Sequence, residues 1–229
     1  YKNELNLELP EEDADRLEAI SKLKDLFWDK LKTDGLLKVL EEIEMPLITV
    51  LAEVELNGIK IDTESLKKLG SSTNKELAHL ESDIYKYSGT QFNINSPKQL
   101  KEIIFERLGL KGKVRKTAKG ALSTAAGELE KLAGEHPIID LILKHRELQK
   151  LKTTYIEPFP QLIDSKTGRL HTTFNQTGTV TGRLSSQDPN LQNIPTRTEV
   201  GQEFRKAFIA SSGYKLVSFD YSQLELRIA

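Results

Sequence analysis

The chain has 229 residues, of which 33 are Lys or Arg and 34 are Asp or Glu, and its formal net charge is -1. It contains no cysteine and only four scattered histidines, which excludes disulfides and thiolate metal sites and disfavours a zinc site. No apolar run approaches the roughly 20 residues that a membrane-spanning helix needs, and the polar, acidic start is not typical of a secretory signal, so we expect a cytoplasmic protein without membrane contact.

The first 90 residues predict three helices. Apolar residues at helical spacing favour a helix over 11–32 and a second over 36–56, and the third runs from Thr63 to about Ser88. A glycine follows each helix, at positions 35, 58 and 89, and residues 58–62 alternate as a short extended link. The narrow apolar face of the third helix predicts two long helices that pack side by side in a stalk.

The middle of the chain predicts shorter helices and a basic loop. Asn95 or Ser96 can cap a helix that starts at Pro97 and ends near residue 108. Ser123 and Thr124 begin a short helix to about residue 133, and a longer helix covers 137–155. The polar loop over 110–122 contains five basic residues, which are Lys111, Lys113, Arg115, Lys116 and Lys119.

Charge is distributed unevenly along the chain. Residues 1–69 contain 10 Lys or Arg against 17 Asp or Glu, whereas residues 96–155 contain 13 against 7. A basic middle segment indicates a polyanionic partner such as nucleic acid, while an unevenly charged solvated surface is the alternative.

After Pro158 the composition changes from helical to mixed. Thr, Val and Phe become frequent over 169–183, with a turn signal at 175–178, which predicts a strand pair. Residues 189–195 are irregular, 214–220 predict a strand, and the chain becomes helical from Tyr221 onward. The chain therefore passes from a mostly helical part to a mixed α+β part, with a boundary near Pro158.

An acidic residue, Asp220, stands where the last predicted strand meets a helix. Such a carboxylate can hold Mg²⁺, which prefers carboxylate and carbonyl oxygens and keeps waters and substrate phosphates as further ligands. Asp220 and Gln223 also form a capping-box-like pair, and local chemistry alone favours this helix cap.

Three longer strings resemble DNA polymerases of family A. Residues 220–227 (Asp-Tyr-Ser-Gln-Leu-Glu-Leu-Arg) resemble the first motif of the family's palm, in which isoleucine usually stands at the position of Leu224. Two further stretches of the family are resembled, in the family's order, by residues 146–155 and by residues 181–186 taken together with 189–195. The resemblance extends from about residue 11 to the last residue.

The resemblance implies an α+β fold of the right-hand polymerase type, here incomplete. Residues 1–40 would be the edge of a 3′–5′ exonuclease-like domain, because residues 11–15 resemble its last part. Residues 41–157 would be a mostly helical thumb with long antiparallel helices that binds duplex DNA, and residues 158–229 would be the first part of an antiparallel-sheet palm.

For the reaction, the resemblance implies template-directed DNA synthesis with two Mg²⁺ ions per complete active site. Asp220 would bind both ions and the carbonyl of Tyr221 would bind one of them. Glu225 would lie under the sugar of the incoming dNTP and exclude a 2′ hydroxyl. The residues expected to contact the dNTP are Ser222, Gln223, Leu224 and Glu225.

For DNA, the resemblance implies three groups of contacts. The expected minor-groove set is Arg183, Asn190, Gln192 and Asn193, whose donors can reach the purine N3 and pyrimidine O2 acceptors of every base pair. Arg146, Lys150 and Thr154 form one helical stripe along the duplex, and the helix starts at Asn95, Ser96, Ser123 and Thr124 offer N–H groups to phosphates. The alternatives are turn chemistry for Asn190 and Asn193 and a solvated surface for the basic stripe.

Two motifs of the family are absent from the sequence: the nucleotide-binding helix with its Lys/Tyr set, and a later His-Asp-Glu motif. We therefore expect a second polypeptide or a missing C-terminal segment to supply the fingers and the rest of the palm. The isolated chain should not extend a primer–template duplex with dNTPs. The expected setting is the nucleoid of a bacterial or phage-infected cell. The alternatives are a non-catalytic duplex-binding module and a single-subunit RNA polymerase, and Glu225 with the Ser-Gln pair argues against the latter.

Overall fold

A computed structural model describes residues 13–110, 112, 114–115, 122–196 and 198–229. The predicted ragged start and the basic residues Lys111, Lys113, Lys116 and Lys119 lie outside these ranges. The helices are α1 (Asp13–Thr33), α2 (Leu37–Val39), α3 (Met45–Asn57), α4 (Thr63–Ser88), α5 (Pro97–Lys101), α6 (Ala126–Leu129), α7 (Pro137–Leu151), α8 (Glu199–Lys206) and α9 (Leu224–Ile228). The strands are β1 (Lys60–Ile61), β2 (Thr173–Asn175), β3 (Ser185–Gln187) and β4 (Phe208–Ile209).

Several helices change their winding along the chain. The segments Leu40–Glu44, Glu102–Arg107 and Lys152–Ile156 are π-helical and lie before α3, after α5 and after α7, respectively. Short 3₁₀ turns cover Glu130–Leu132 and Phe159–Gln161.

The chain separates into two compact units. The first contains the described residues up to Asn57 together with Phe174–Ser185, and the second contains Gly58–Thr173 and Ser186–Ala229. The division into 1–40, 41–157 and 158–229 stays a prediction.

The first unit contains the two predicted N-terminal helices. The helix predicted over 11–32 is observed as Asp13–Thr33, and the helix predicted over 36–56 is observed from Leu37 to Asn57. The π-helical segment within the second helix ends just before Pro46, which has no N–H to donate to a carbonyl one turn earlier, so the regular ladder is interrupted there.

The helix predicted from Thr63 to Ser88 lies in the second unit, and it is observed with the predicted bounds as α4. Asp62 caps its start, because the carboxylate accepts hydrogen bonds from the N–H groups of Glu64 at 3.0 Å and Ser65 at 3.1 Å. Gly89 ends the helix with a φ of 67°, a left-handed conformation that costs little only for glycine.

Replacing Asp62 with alanine should lower the thermal midpoint at neutral pH and reduce the loss of stability in acid. Hydrogen bonds from Ser65 hold the pKa of the Asp62 carboxyl below its ordinary value of 3.8. Because the folded-state pKa is depressed, this stabilisation is present above the ordinary pKa and is lost as the pH falls through the folded-state pKa. Thermal unfolding of the parent and the variant at neutral pH and at successively lower pH measures both effects.

Asp62→Asn is the matched control, since it keeps a capping oxygen but cannot titrate. It should retain most of the stability at neutral pH and lose the acid dependence. Equal midpoints of Asp62→Ala and the parent at neutral pH would contradict the capping role.

Helices α4 and α7 pack side by side, as the narrow apolar face of α4 predicted, and they run in opposite directions. Near the start of α4, a Cβ added at Gly70 would lie 3.2 Å from Ile156, just beyond α7. Near the end of α4, the ring of Tyr87 lies 5.6 Å from that of His136, the N-cap of α7. Small residues such as Gly70 allow two helix backbones to approach closely.

Two apolar cores lie at opposite ends of this helix pair, and a small cluster of Leu77, Leu80 and Leu148 lies between them. The first core joins α4 to α5, α6 and the start of α7; its buried residues are Ile84, Ile94, Leu100, Ile103, Ile104, Phe105, Leu129, Leu132, Ile138, Ile139 and Ile142. The second core contains an aromatic cluster whose ring centroids are 5.5–6.4 Å apart, formed by Tyr155, Phe159, Phe204 and Phe208.

The extended link predicted over 58–62 is confirmed as strand β1. It pairs antiparallel with β4, with Lys60 opposite Ile209 and Ile61 opposite Phe208. Neither strand β4 nor helix α8 was predicted. The signal for α8 was the cap at Thr198, whose hydroxyl accepts from Gly201 N at 3.2 Å.

Two strand predictions are corrected. The strand pair predicted within 169–183 is observed only as β2, and its partner is β3, beyond that range. The strand predicted over 214–220 is wrong: these residues are irregular and exposed, because the described residues offer no partner strand to complete a hydrogen-bond ladder.

The predicted α+β class is confirmed at the level of a mostly helical chain with small sheets. The assignment of thumb and palm stays a prediction. None of the described helices is both long and apolar enough to cross a membrane.

Candidate functional site

Two buried hydroxyl groups hold the loop over 186–196, which leaves β3 at Gln187 and is irregular beyond it. Thr172 Oγ1 lies 2.7 Å from Ser186 Oγ and 2.8 Å from the carbonyl of Pro189, and Ser186 Oγ accepts a hydrogen bond from Leu191 N at 3.0 Å. Thr172 and Ser186 are 8% and 3% exposed. Buried hydroxyls that are fully hydrogen-bonded fix a backbone that has no regular ladder of its own.

Asn190 contributes to the shape of this loop through its side chain. Its Oδ1 accepts hydrogen bonds from Gln192 N at 2.9 Å and Asn193 N at 3.2 Å. The turn chemistry left open from the sequence is therefore confirmed for Asn190, whose side-chain NH₂ group can still donate. Gln192 and Asn193 are exposed.

Helix α8 packs closely against the end of the loop. A Cβ added at Gly201 would lie 2.6 Å from the carbonyl oxygen of Pro195. Gly201 is thus the residue type that this close backbone approach requires.

The predicted basic stripe lies on α7 and its π-helical continuation, with different exposure at each position. Lys150 and Thr154 are exposed. Arg146 is half-buried and its guanidinium donates a hydrogen bond to the carbonyl of Thr124, while burial lowers the pKa of Arg146. Arg146 therefore also stabilises the segment before α6.

Tyr155 joins the helix that carries this stripe to the loop that carries Asn190, Gln192 and Asn193. Its hydroxyl donates a hydrogen bond to the carbonyl of Asn193 at 2.7 Å, and burial raises the pKa of Tyr155. The sequence alone indicates no role for Tyr155 beyond its place at the end of the 146–155 string. A polar tip on an otherwise apolar helix face was the available signal.

The predicted helix starts differ in their accessibility. Ser96 caps α5, with its Oγ 3.5 Å from Gln99 N, and Asn95 before it is exposed. The helix predicted to start at Ser123 and Thr124 begins instead at residue 126, because Ser123 Oγ accepts a hydrogen bond from the N–H of residue 125 and closes a local turn. Thr124 is buried.

Asp220 lies in an exposed segment that extends from residue 212 to the last residue. The last helix begins at Leu224, and its N-cap Gln223 has a φ of 52° and makes no side-chain cap hydrogen bond. The capping-box interpretation of Asp220 and Gln223 is therefore wrong in this structure. Ser222 contributes its carbonyl, which accepts a hydrogen bond from Arg227 Nε at 3.0 Å.

The donor chemistry of this segment fits Mg²⁺ in part. The Asp220 carboxylate and the Tyr221 carbonyl are hard oxygen donors of the kind that Mg²⁺ prefers. Within the described ranges, no group of three or more His, Cys, Asp or Glu residues could hold a metal ion.

Arg183 belongs to the first unit, whereas Asn190, Gln192 and Asn193 belong to the second. Arg183 is exposed, and its carbonyl accepts a hydrogen bond from Thr179 Oγ1 at 2.7 Å.

Comparisons with known proteins agree over most of the chain. The family model of DNA polymerase family A matches residues 63–229. The chain is 48% identical over 221 residues to the thermostable DNA polymerase I of Thermus filiformis. The aligned region covers 96% of this chain and 26% of that protein. It is 48% identical over 198 residues to the DNA polymerase I of Deinococcus radiodurans, and this aligned region covers 86% of this chain and 21% of that protein.

A solved structure has a similar fold. It is described as the POL domain of Pol1 from M. smegmatis in complex with DNA primer-template and dNTP. The TM-score is 0.84 at 36% sequence identity, over 99% of this chain and 40% of that one. The chain thus spans about a quarter of the Thermus relative's length and less than half of the solved chain.

Proposed function

Because this chain belongs to DNA polymerase family A, we propose that it takes part in template-directed DNA synthesis, the transfer of a nucleotide from a dNTP to a primer 3′ hydroxyl. The observation that carries the proposal is the hydrogen bond from Tyr155 to the carbonyl of Asn193, since it joins a helix with exposed Lys150 and Thr154 to a loop of exposed amides. Together they offer groups for both the phosphates and the base edges of one duplex.

The helix and the loop would bind primer–template DNA in different ways. Lys150 and Thr154 would contact phosphate oxygens, which gives affinity without sequence preference. The side-chain amides of Asn190, Gln192 and Asn193 would donate to purine N3 and pyrimidine O2, which all four base pairs present in the minor groove. A copying enzyme needs such contacts because they test pair geometry without reading sequence.

The right-hand assignment follows the same proposal. Residues 41–157 would form the thumb, to which Asn95, Ser96, Ser123 and Arg146 contribute, and residues 158–229 would form the first part of the palm. Arg183 would complete the DNA-binding set, whereas Thr124, although expected in it from the resemblance, is buried and would not contact DNA directly. The fingers and the remaining palm motifs would come from a second polypeptide or a further segment.

The last segment would supply the first part of the catalytic centre. Asp220 would bind both magnesium ions of the complete active site, and the carbonyl of Tyr221 would bind one of them. When bound, the ions neutralise charge on the reacting oxygens. Ser222, Gln223 and Leu224 would contact the dNTP, and Glu225 would lie under its sugar and exclude ribonucleotides.

Lys150→Ala in the 229-residue chain should weaken binding to primer–template duplex at low salt. Because each phosphate contact releases condensed counterions, the slope of log K against log salt should decrease in magnitude by about 0.9. Fluorescence anisotropy with a labelled duplex over a series of salt concentrations measures both quantities.

Lys144→Ala is the matched control, since Lys144 lies on the same helix but pairs with Glu76 at 2.6 Å. It should leave the salt slope unchanged. Equal effects of the two substitutions, or no duplex binding by the parent chain, would overturn the proposed interface.

A further inference from the structure

We infer that Tyr155 is a positioning residue, whose hydroxyl sets where Gln192 and Asn193 meet the minor groove and so determines how strongly the chain recognises base-edge acceptors. This inference rests on the proposed function and assigns the source of its minor-groove recognition.

The Tyr155 hydroxyl is a donor in a fixed place. The residue is 3% exposed, and its ring lies 5.5 Å from that of Phe159 and 5.6 Å from that of Phe204. These contacts hold the phenol so that its hydroxyl, 2.7 Å from the Asn193 carbonyl, fixes the main chain at that residue.

The other end of the loop is held independently. Thr172 and Ser186 bind the carbonyl of Pro189 and the N–H of Leu191 through the buried hydroxyl pair described above. The loop is therefore clamped on both sides of Gln192, and the exposed side chains of Gln192 and Asn193 project from a backbone that is fixed before and after them.

A fixed backbone matters because a side-chain amide has several rotatable bonds, and a hydrogen bond weakens steeply as its distance and angle depart from ideal values. Without the Tyr155 hydroxyl, the Asn193 carbonyl loses its donor and the loop loses one of its two clamps. The phosphate contacts of Lys150 and Thr154 would remain, since the helix that carries them is held by packing. Loss of the hydroxyl should thus separate base-edge recognition from general DNA affinity.

The test compares two duplexes that differ in one acceptor. In the second duplex 3-deazaguanine replaces guanine, so that a C–H group stands in place of the minor-groove N3. For the parent chain, anisotropy should show a dissociation constant roughly three- to tenfold higher for the deaza duplex, as expected for one lost hydrogen bond. For Tyr155→Phe the ratio of the two dissociation constants, deaza duplex to normal duplex, should fall close to one, with the salt slope unchanged.

Tyr85→Phe is the matched control, because the Tyr85 hydroxyl also donates to a main-chain carbonyl, that of Phe92 at 3.1 Å, and its ring also packs against an aromatic ring. Tyr85→Phe should lose a similar amount of stability but keep the ratio of dissociation constants seen for the parent chain. If Tyr155 had only a structural role, Tyr155→Phe would keep that ratio as well. Thr172→Val removes the Thr172 hydroxyl from the other clamp and leaves the hydrogen bond from Leu191 N to Ser186. It should lower the ratio in the same direction as Tyr155→Phe, and it decides the question if Tyr155→Phe does not fold.

The inference would be overturned if Tyr155→Phe kept the ratio of dissociation constants seen for the parent chain. If Tyr155→Phe does not fold, the same result for Thr172→Val would overturn it. So would a parent ratio of one, since the loop would then read no acceptor. In either case the salt-slope result for Lys150 stands separately, so failure of the inference is distinguishable from failure of the proposed function.

Discussion

Asp220→Ala should abolish primer extension while leaving duplex binding almost unchanged, in a polymerase that contains this chain and supplies the rest of the active site. The carboxylate is proposed to hold the ions that stabilise the developing charge in the transition state by several kcal/mol. We therefore expect the rate of nucleotide addition to fall by at least about a thousandfold. Binding should persist because Asp220 lies in an exposed segment outside the proposed DNA-binding helix and loop. Single-turnover extension of a labelled primer measures the rate, and anisotropy measures the affinity.

Asp83→Ala is a suitable control, since Asp83 is an exposed aspartate on α4 with no proposed role. It should extend primers at the parental rate. If Asp220→Ala retained extension, the metal assignment would be wrong, and the chain would be better described as a duplex-binding module.

Gly58→Ala should destabilise the second unit strongly. Gly58 has a φ of 55°, and an added Cβ would lie 2.6 Å from the carbonyl of Leu170 and 2.7 Å from the ring of His171. The backbone cannot move away easily, because Ile59 and Leu170 exchange two hydrogen bonds of 2.8 Å. A left-handed alanine costs about 1–2 kcal/mol and overpacking adds about 1–3 kcal/mol, so the free energy of unfolding should fall by roughly 2–5 kcal/mol.

Gly168→Ala separates these two causes. Gly168 has a similar φ of 65°, but nothing lies within 4 Å of an added Cβ. It should therefore show only the backbone cost of about 1–2 kcal/mol. Urea denaturation followed by circular dichroism gives both values. Equal losses for the two variants would show that the contact with Leu170 is not rigid.

The long helices could be predicted from the sequence because their signals are local. Asp62 and Gly89 mark the ends of α4, and its buried residues recur at helical spacing. The pairing of Lys60 with Ile209 could not be predicted in the same way, since it joins segments about 150 residues apart and neither carries a turn signal that points to the other. Residues 214–220 show the opposite case: a strand pattern is present, but no described strand pairs with it.

The candidate site divides along the same line. Lys150 and Gln192 were predicted as DNA contacts from the resemblance of short strings to a family, and this role stays a prediction. The structural use of Arg146 and Asn190, whose side chains bind the protein's own backbone, depends on neighbours that no string contains. Tyr155 was overlooked for the same reason, as its partner is a main-chain carbonyl 38 residues away.

The hydrogen bonds inside the 186–196 loop also limit what it can hold. The N–H groups of Leu191, Gln192 and Asn193 are three in succession, and all three donate to side-chain oxygens of the loop itself. Successive free N–H groups are what builds a main-chain nest for an anion, and here none of the three is available. The loop can therefore recognise a neutral acceptor through its side chains, but these three backbone N–H groups cannot form a binding site for an anion.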